Sequence, residues 1–248
     1  MLNIQRCNII LELIEKNKNM QMKDIVKTLN VSEATVRRDL MLLEEKGKIR
    51  RVHGGAVLPD YIEEDILSRR NIFSAEKTKI AKTAAALVRD GSAVYLDAGT
   101  TTGAMIPFLA EKERLVVITN GLSHLEELTK YKIKAYVTGG RVKGKTAALV
   151  SGSAVLSLRN YRYDMAFMGA NAVNEEGYWT PDEEEAVIKS AALRNCAQVW
   201  FLCDSSKFFK QSFIKFADLN EGTLLSEGEI PEGLRAPDPR SGERSRNL

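Results

Sequence analysis

Four short segments of this 248-residue chain gather the groups that hold a small anionic, hydroxylated molecule. Asp97-Ala98-Gly99-Thr100-Thr101-Thr102-Gly103 follows the apolar run AVYL and opens a helical stretch. Glycines let the backbone come close, free amides at a helix start attract negative charge, and threonine hydroxyls add donors. Asp97 suits sugar hydroxyls rather than phosphate, because like charges repel. Thr119-Asn120-Gly121 and Thr138-Gly139-Gly140 close the next two apolar runs, and Asp204-Ser205-Ser206-Lys207 follows VWFLC with a cation and two hydroxyls. A threonine at a helix start is usually a cap, and Gly-Gly is usually a turn. Four such segments, each at the end of an expected strand, point together to a ligand site.

A rival chemistry is written at Gly139 to Thr146, where GGRVKGKT fits the phosphate-cradling GxxxxGKT loop of nucleotide triphosphatases. That loop must feed a sustained helix, yet Ser151-Gly152-Ser153 interrupts any helix here after barely two turns. Only about 100 residues follow, which is short for a nucleotide domain. An NTP-dependent enzyme is therefore the alternative, not the main reading; Lys143 and Lys145 remain near any anion bound at these strand ends. No GxSxG elbow exists, and His53 and His124 have no matching nucleophile. The acidic run Asp182 to Glu185 reads as the capped start of a helix, with Thr180-Pro181-Asp182-Glu183 as a capping box, because acids in a first turn favour the helix dipole. No catalytic residue, metal or cofactor is expected.

A second constellation lies near the N-terminus. Ile4, Cys7, Leu11 and Ile14 recur at helical spacing, and Met22, Ile25, Val26 and Leu29 form a second apolar set. Asn30-Val31-Ser32 then makes a tight turn, with Ser32 as N-cap of a third helix running to Gly47. Val36, Leu40 and Leu43 share that helix's inner face. Ala34, Arg38 and Met41 point outward, with Thr35 and Arg37 on the flanks. Short residues at a helix start admit the backbone to the DNA major groove, and paired arginines clamp phosphates or read guanine. KIRRVHGGAVL alternates around Gly54-Gly55 as a β-hairpin wing, placing Lys48, Arg50, Arg51 and His53 near the DNA backbone.

The elements that must position these groups divide the chain. Residues 1–58 carry 11 Lys/Arg against 7 Asp/Glu, while the rest is near neutral, which suits a basic nucleic-acid module on a larger body. Residues 59–75 begin with Pro59 and are charged, as a linker with room for one helical turn would be. From Glu76 an alanine-rich helix leads into AVYLD, RLVVIT, IKAYVT, DMAFMG and VWFLC, with helical stretches near Thr102 to Ala110, Leu122 to Thr129 and Glu184 to Cys196. This alternation predicts an open, parallel α/β sheet over 76–227 with ligands at the carboxyl ends of its strands. Residues 228–248, rich in Gly, Pro, Arg and Ser, predict a disordered tail without a further strand.

No run of 18 apolar residues occurs, so no membrane partner is expected. MLNIQRCNII lacks the features of a secretory leader, and the scattered Cys7, Cys196 and Cys203 suit reduced thiols. Both favour a cytoplasmic protein.

VSEATVRRDLMLLEEKGKIRRVHGGAVL strongly resembles the signature of the DeoR-type repressors of sugar metabolism. EKTKIA, LDAGTT, VITN, TGG, VSGSA, MAFMGA and DSSKF extend the resemblance over about Glu76 to Leu219, and the family has its own Gly-Gly at Gly139-Gly140. It implies a winged helix-turn-helix followed by a sensor domain similar in fold to sugar-phosphate isomerases such as ribose-5-phosphate isomerase. An isomerase-like enzyme is thus the other alternative, made less fitting by the DNA-binding head. By resemblance, DNA is contacted through Ser32, Ala34, Thr35, Arg37, Arg38, Arg50, Arg51 and His53. A phosphorylated sugar is contacted through Asp97, Gly99, Thr100, Thr101, Thr119, Asn120, Gly140 and Lys207. Asn171 stands where many relatives carry aspartate, which alters one hydroxyl-binding position. The implied partners are operator DNA, a phosphorylated sugar and further copies of the chain.

Overall fold

The structure is a computed structural model that describes residues 3–17, 19–46, 48–52, 54–58 and 65–235. Gly47, the expected helix stop, and His53 lie outside the described residues, as do 59–64 of the expected linker and 236–248 of the expected tail. The chain divides into two compact units, Met1–Ile62 and Glu63–Leu248. Among the described residues no helix is long and apolar enough to cross a membrane.

The first unit contains α1 (Asn3–Asn17), β1 (Asn19–Gln21), α2 (Met22–Leu29), α3 (Glu33–Glu45), β2 (Arg50–Val52) and β3 (Gly55–Val57). Each helix turns its apolar stripe inward, so Ile10, Ile14, Ile25, Val36, Leu40 and Ile49 form one core with at most 2% exposure. Asn30 adopts the left-handed conformation that ends α2, and the Ser32 side chain accepts the Thr35 amide at the start of α3. The expected hairpin wing of β2 and β3 is antiparallel and gains a third strand, β1, on β3. A side chain at Gly55 would stand 2.1 Å from the Met20 carbonyl oxygen, so only glycine permits that pairing. Three residues of β1 in a polar stretch carry no periodicity by which they could be predicted.

The second unit begins with α4 (Ile66–Asn71) and α5 (Ser74–Ala86), then β4 (Ala93–Leu96), α6 (Thr100–Gly103), α7 (Ile106–Leu109), β5 (Val116–Thr119), α8 (Leu125–Lys130) and β6 (Lys134–Val137). It continues with β7 (Arg141–Lys143), β8 (Ala148–Val150), α9 (Gly152–Leu158), β9 (Tyr163–Gly169), β10 (Ala172–Asn174), β11 (Gly177–Thr180) and α10 (Glu183–Leu193). It closes with β12 (Cys196–Leu202), β13 (Ile214–Ala217) and β14 (Thr223–Leu225). Six strands in the order β14-β12-β9-β4-β5-β6 make a parallel sheet. Val94, Tyr95, Leu96 and Phe167 in its central strands are fully buried, as strands covered on both faces must be. Smaller antiparallel sheets, β10-β11-β13 and β7-β8, sit beside it.

Several expectations need correction. The stretch Thr102 to Ala110 is two short helices, α6 and α7, not one. Segment 66–71, assigned to the linker, is α4; Ile66 is buried and donates its amide to Lys145 O (2.8 Å). Within the expected sheet domain, Thr223 to Leu225 adds a sixth strand to the five apolar runs by pairing with Trp200 to Leu202. Order extends past Gly228 as well: Glu232–Leu234 forms a 3-10 turn and Leu234 is completely buried. One apolar anchor among polar residues gives no periodic signal, which is why composition alone pointed to disorder.

Candidate functional site

In the first unit α3 is held from behind. Arg6 of α1 forms an ion pair with Asp39, which is fully buried, and its second guanidinium nitrogen donates to Asp39 Oδ1 at 2.9 Å. This pair was not expected from the sequence, where Asp39 looks like a surface residue. The opposite face presents Ala34, Arg37, Arg38 and Met41 to solvent, with Thr35 half-buried. Arg37 donates to Glu33 Oε1 at 2.6 Å one turn away, whereas Arg38 projects from the exposed centre of the face. In the wing, Glu44 accepts both the Arg51 amide (2.8 Å) and its guanidinium (2.6 Å). Those two hydrogen bonds hold the Glu44 carboxyl below the usual carboxylate range. A rigid helix with an exposed arginine, flanked by a hairpin with Arg50 and a pinned Arg51, is the geometry of a winged DNA-reading head.

In the second unit the chain runs from β4 outward through β5 to β6, then crosses back to β9 and outward through β12 to β14. The direction of winding reverses between β4 and β9: the chain leaves β4 into α6 but leaves β9 through β10 and β11 to α10. Such a switch point opens a crevice beyond the carboxyl ends of the strands. A cleft lies there, lined among others by Gly99, Thr100, Thr101, Asn171, Lys189 and Lys207. At the start of α6 the amides of Thr100 to Thr102 have no acceptor within the helix, as at any helix start.

Of the expected ligand groups, Gly99, Thr100, Thr101 and Lys207 line this cleft. Asp97 lies beneath it, 1% exposed, and accepts the Gly169 amide (3.0 Å) while paired with Lys189. Burial pushes its carboxyl above the usual range, against the pull of the Lys189 ammonium. Lys189 also donates to Gly169 O at 2.9 Å, so one cation joins the ends of β4 and β9.

Thr119, Asn120 and Gly140 do not line the cleft. Thr119 Oγ1 donates to Leu96 O (2.6 Å) and accepts the Gly121 amide (3.0 Å). Asn120 Oδ1 accepts the Ala98 amide (2.8 Å) and the Tyr95 hydroxyl (2.9 Å), and Nδ2 donates to Leu149 O (3.3 Å). Asn120 braces the Ala98 backbone from behind, and Thr119 ties the end of β4 at Leu96 to the Gly121 turn. Gly140 has φ +130°, and a side chain there would meet Val150 O at 2.5 Å, so glycine is required by packing.

Sequence reasoning missed Lys189, Glu185, Lys77, Arg69 and His124. Glu185 and Lys189 are one turn apart on α10, a spacing that places both on one helix face and was available as a signal. Lys77 is nearly buried and donates to Ile72 O (2.6 Å) and Arg69 O, tying α5 to the segment before it. Buried His124 places Nε2 3.0 Å from Gly99 O and Nδ1 3.0 Å from Thr119 Oγ1. A carbonyl only accepts, so Nε2 carries the proton in that contact. Arg69, Lys77, Lys189 and Lys207 outnumber Glu185 and Asp204 around the cleft, a balance that favours an anion. Cys203 also lines it, but burial pushes its thiol up to about 12, so it is no nucleophile at neutral pH.

The GGRVKGKT segment is not a phosphate loop. It forms β7, a turn and the approach to β8, an antiparallel hairpin with no helix at its end. The Ser151-Gly152-Ser153 stretch interrupts no helix; it joins β8 to α9. Lys143 pairs with Asp182 (2.9 Å) and Glu185 (3.4 Å), and Thr146 donates to Glu185 (2.6 Å), so both residues serve protein contacts. The cap of α10 also differs from expectation. Asp182, not Thr180, accepts the Glu185 amide (3.0 Å), and Thr180 ends β11.

A winged helix-turn-helix unit, joined in one chain to a parallel α/β unit with a cationic cleft at its switch point, defines a DNA-binding regulator with a sensor domain. Residues 6–61 match the DeoR-like helix-turn-helix domain, and residues 72–227 match the DeoR C-terminal sensor domain. The chain belongs to the DeoR family of transcription repressors. It is 40% identical over 229 residues to FruR, an uncharacterized HTH-type transcriptional regulator of Bacillus subtilis (strain 168), covering 91% of each chain. It is 30% identical over 227 residues to the glycerol-3-phosphate regulon repressor of Haemophilus influenzae, covering 91% of this chain and 89% of that one. Among solved structures, a ribose 5-phosphate isomerase A from Methanocaldococcus jannaschii aligns at TM-score 0.43 and 23% identity, covering 56% of each chain.

Proposed function

We propose that this repressor controls genes of sugar utilisation, and that a phosphorylated sugar bound in the cleft between β4 and β9 sets its affinity for operator DNA. The observation that carries the reading is the cleft itself: Lys189, Lys77 and Lys207 converge with the hydroxyls of Thr100 and Thr101 at the switch point of the sheet. Cations and amides suit the phosphate, and hydroxyls with Asn171 suit the sugar. The name of the Haemophilus relative, a glycerol-3-phosphate regulon repressor, supports a phosphate ester as effector. Both relatives named above are regulators, which supports a non-enzymatic role.

Operator contact is assigned to Ser32, Ala34, Thr35, Arg37 and Arg38 of the recognition helix and to Arg50, Arg51 and His53 of the wing, with His53 resting on the sequence alone. The protein acts in the cytoplasm as a homo-oligomer, whose symmetry sets the spacing of operator half-sites. The effector shifts DNA affinity by its differential binding to the DNA-competent arrangement, and release from DNA is the expected sign.

Fluorescence anisotropy of labelled DNA from upstream of the protein's own operon, at fixed salt, against a panel of sugar phosphates tests both halves. Specific binding released by one compound is the expected result. Specific binding that no compound alters would remove the effector half; no preference over random DNA would remove the operator half.

A further inference from the structure

We infer that the outward stripe of α10 is the face on which a second copy of this chain docks. The inference rests on the reading that the chain self-associates, and it names the surface. Glu183, Val187, Ala191 and Arg194 recur along one side of α10 at helical spacing and line a shallow groove closed by Val155 of α9 and Ile214. Val187 is 52% exposed, an apolar side chain standing open at the centre of that stripe. The opposite side of the same helix carries Glu185 and Lys189 of the cleft.

Charge gives the stripe an occupant. Glu183 stands at its beginning and Arg194 just past its end, and among the described residues neither forms an ion pair. Eleven helical steps, about 1.5 Å each, separate them by about 16 Å. Glu183/Arg194 and Val187/Ser190 share one midpoint along the helix. Two α10 helices crossing antiparallel about a two-fold axis at that midpoint therefore bring Glu183 of each copy over Arg194 of the other, with the Val187 side chains in the middle. Such an isologous contact satisfies both charges with one surface, which no parallel arrangement does. Ala186, Ser190 and Ala191 keep the helix slim enough for close approach, and the Ser190 hydroxyl is already satisfied by Phe216 O (2.8 Å).

Sedimentation velocity of the full-length protein over a concentration series decides this without DNA or effector. Glu183→Arg and Arg194→Glu should each weaken self-association about tenfold or more, because each places like charges opposite one another twice. The double variant Glu183→Arg/Arg194→Glu should restore it, since the pairs re-form with reversed sign; misfolding would not be rescued in this way. Single variants that associate like the wild type, or a double variant as weak as the singles, would overturn this face while leaving self-association intact. A monomeric wild type would overturn self-association itself, and the effector reading would stand or fall separately on the anisotropy titration.

Discussion

Lys189 and Asp97, 92 residues apart in the chain, form a buried ion pair between α10 and the end of β4, with 4% and 1% of their side chains exposed. The pair does two things at once: it fixes the floor of the cleft and carries a positive charge to its wall. Removing one partner of a buried pair leaves an uncompensated charge and costs about 3–5 kcal/mol. Lys189→Met should therefore lower urea stability by that order, and Lys189→Met/Asp97→Asn should recover much of it. A double variant no more stable than the single would show that the pair is not the source of the loss. Asp97→Asn, which keeps an acceptor for the Gly169 amide, should leave operator binding intact in the anisotropy assay and weaken the effector response; an unchanged response would remove Asp97 from the site.

Arg38→Ala should weaken operator binding about 10- to 100-fold, the range for loss of one bidentate base contact. Effector affinity, measured by calorimetry on the same variant, should not change. Loss of both would indicate misfolding. A reduced salt slope without relaxed sequence preference would assign Arg38 to phosphate instead of a base.

The wing should loosen in acid. The Glu44 carboxyl lies below its ordinary range because the Arg51 amide and guanidinium bind its charged form. A carboxylate depressed in the folded state contributes stability above its unfolded value, and that contribution is lost as pH falls through the folded one. Protection of the Arg51 amide, its exchange relative to the intrinsic rate at each pH, should fall over that acid window, and Glu44→Gln should show the lower protection already at neutral pH. Equal exchange in the two proteins would release Arg51 from this assignment.

Lys143→Ala should lower the melting temperature, because Asp182 and Glu185 lose their shared cation. Burial would raise the Asp182 carboxyl, but Lys143 and the Glu185 amide outweigh it and hold it below the usual range. The expected loss is about 1–3 kcal/mol. Neither wild type nor variant should hydrolyse ATP or GTP in a phosphate-release assay; turnover abolished by Lys143→Ala would restore the phosphate-loop reading.

Gly140→Ala should destabilise the second unit by at least about 1 kcal/mol, since the left-handed backbone and the nearby Val150 O both oppose a side chain. Chemical denaturation measures it. An unaffected midpoint together with lost effector response would return Gly140 to the ligand site.

The amino-acid sequence by itself determined the pattern of elements and half of the chemistry. Helical periodicity located α1, α2 and α3, and short continuous apolar runs located five of the six parallel strands, because a helix buries one stripe whereas a strand covered on both faces buries every residue. Ser32, Arg38 and the Gly99-Thr100-Thr101 turn were legible for the same reason: caps, exposed helix faces and tight turns depend on near neighbours. Only the tertiary structure decided which strand ends meet. The order β14-β12-β9-β4-β5-β6 sets Asp97 beside Gly169 and Lys189 while turning Thr119 and Asn120 into braces, a distinction that residue type cannot carry. It likewise made GGRVKGKT a hairpin and gave Lys143 and Thr146 to the acids of α10. These outcomes rest on contacts between residues tens of positions apart, whose free energy exists only once the chain has closed the loops between them.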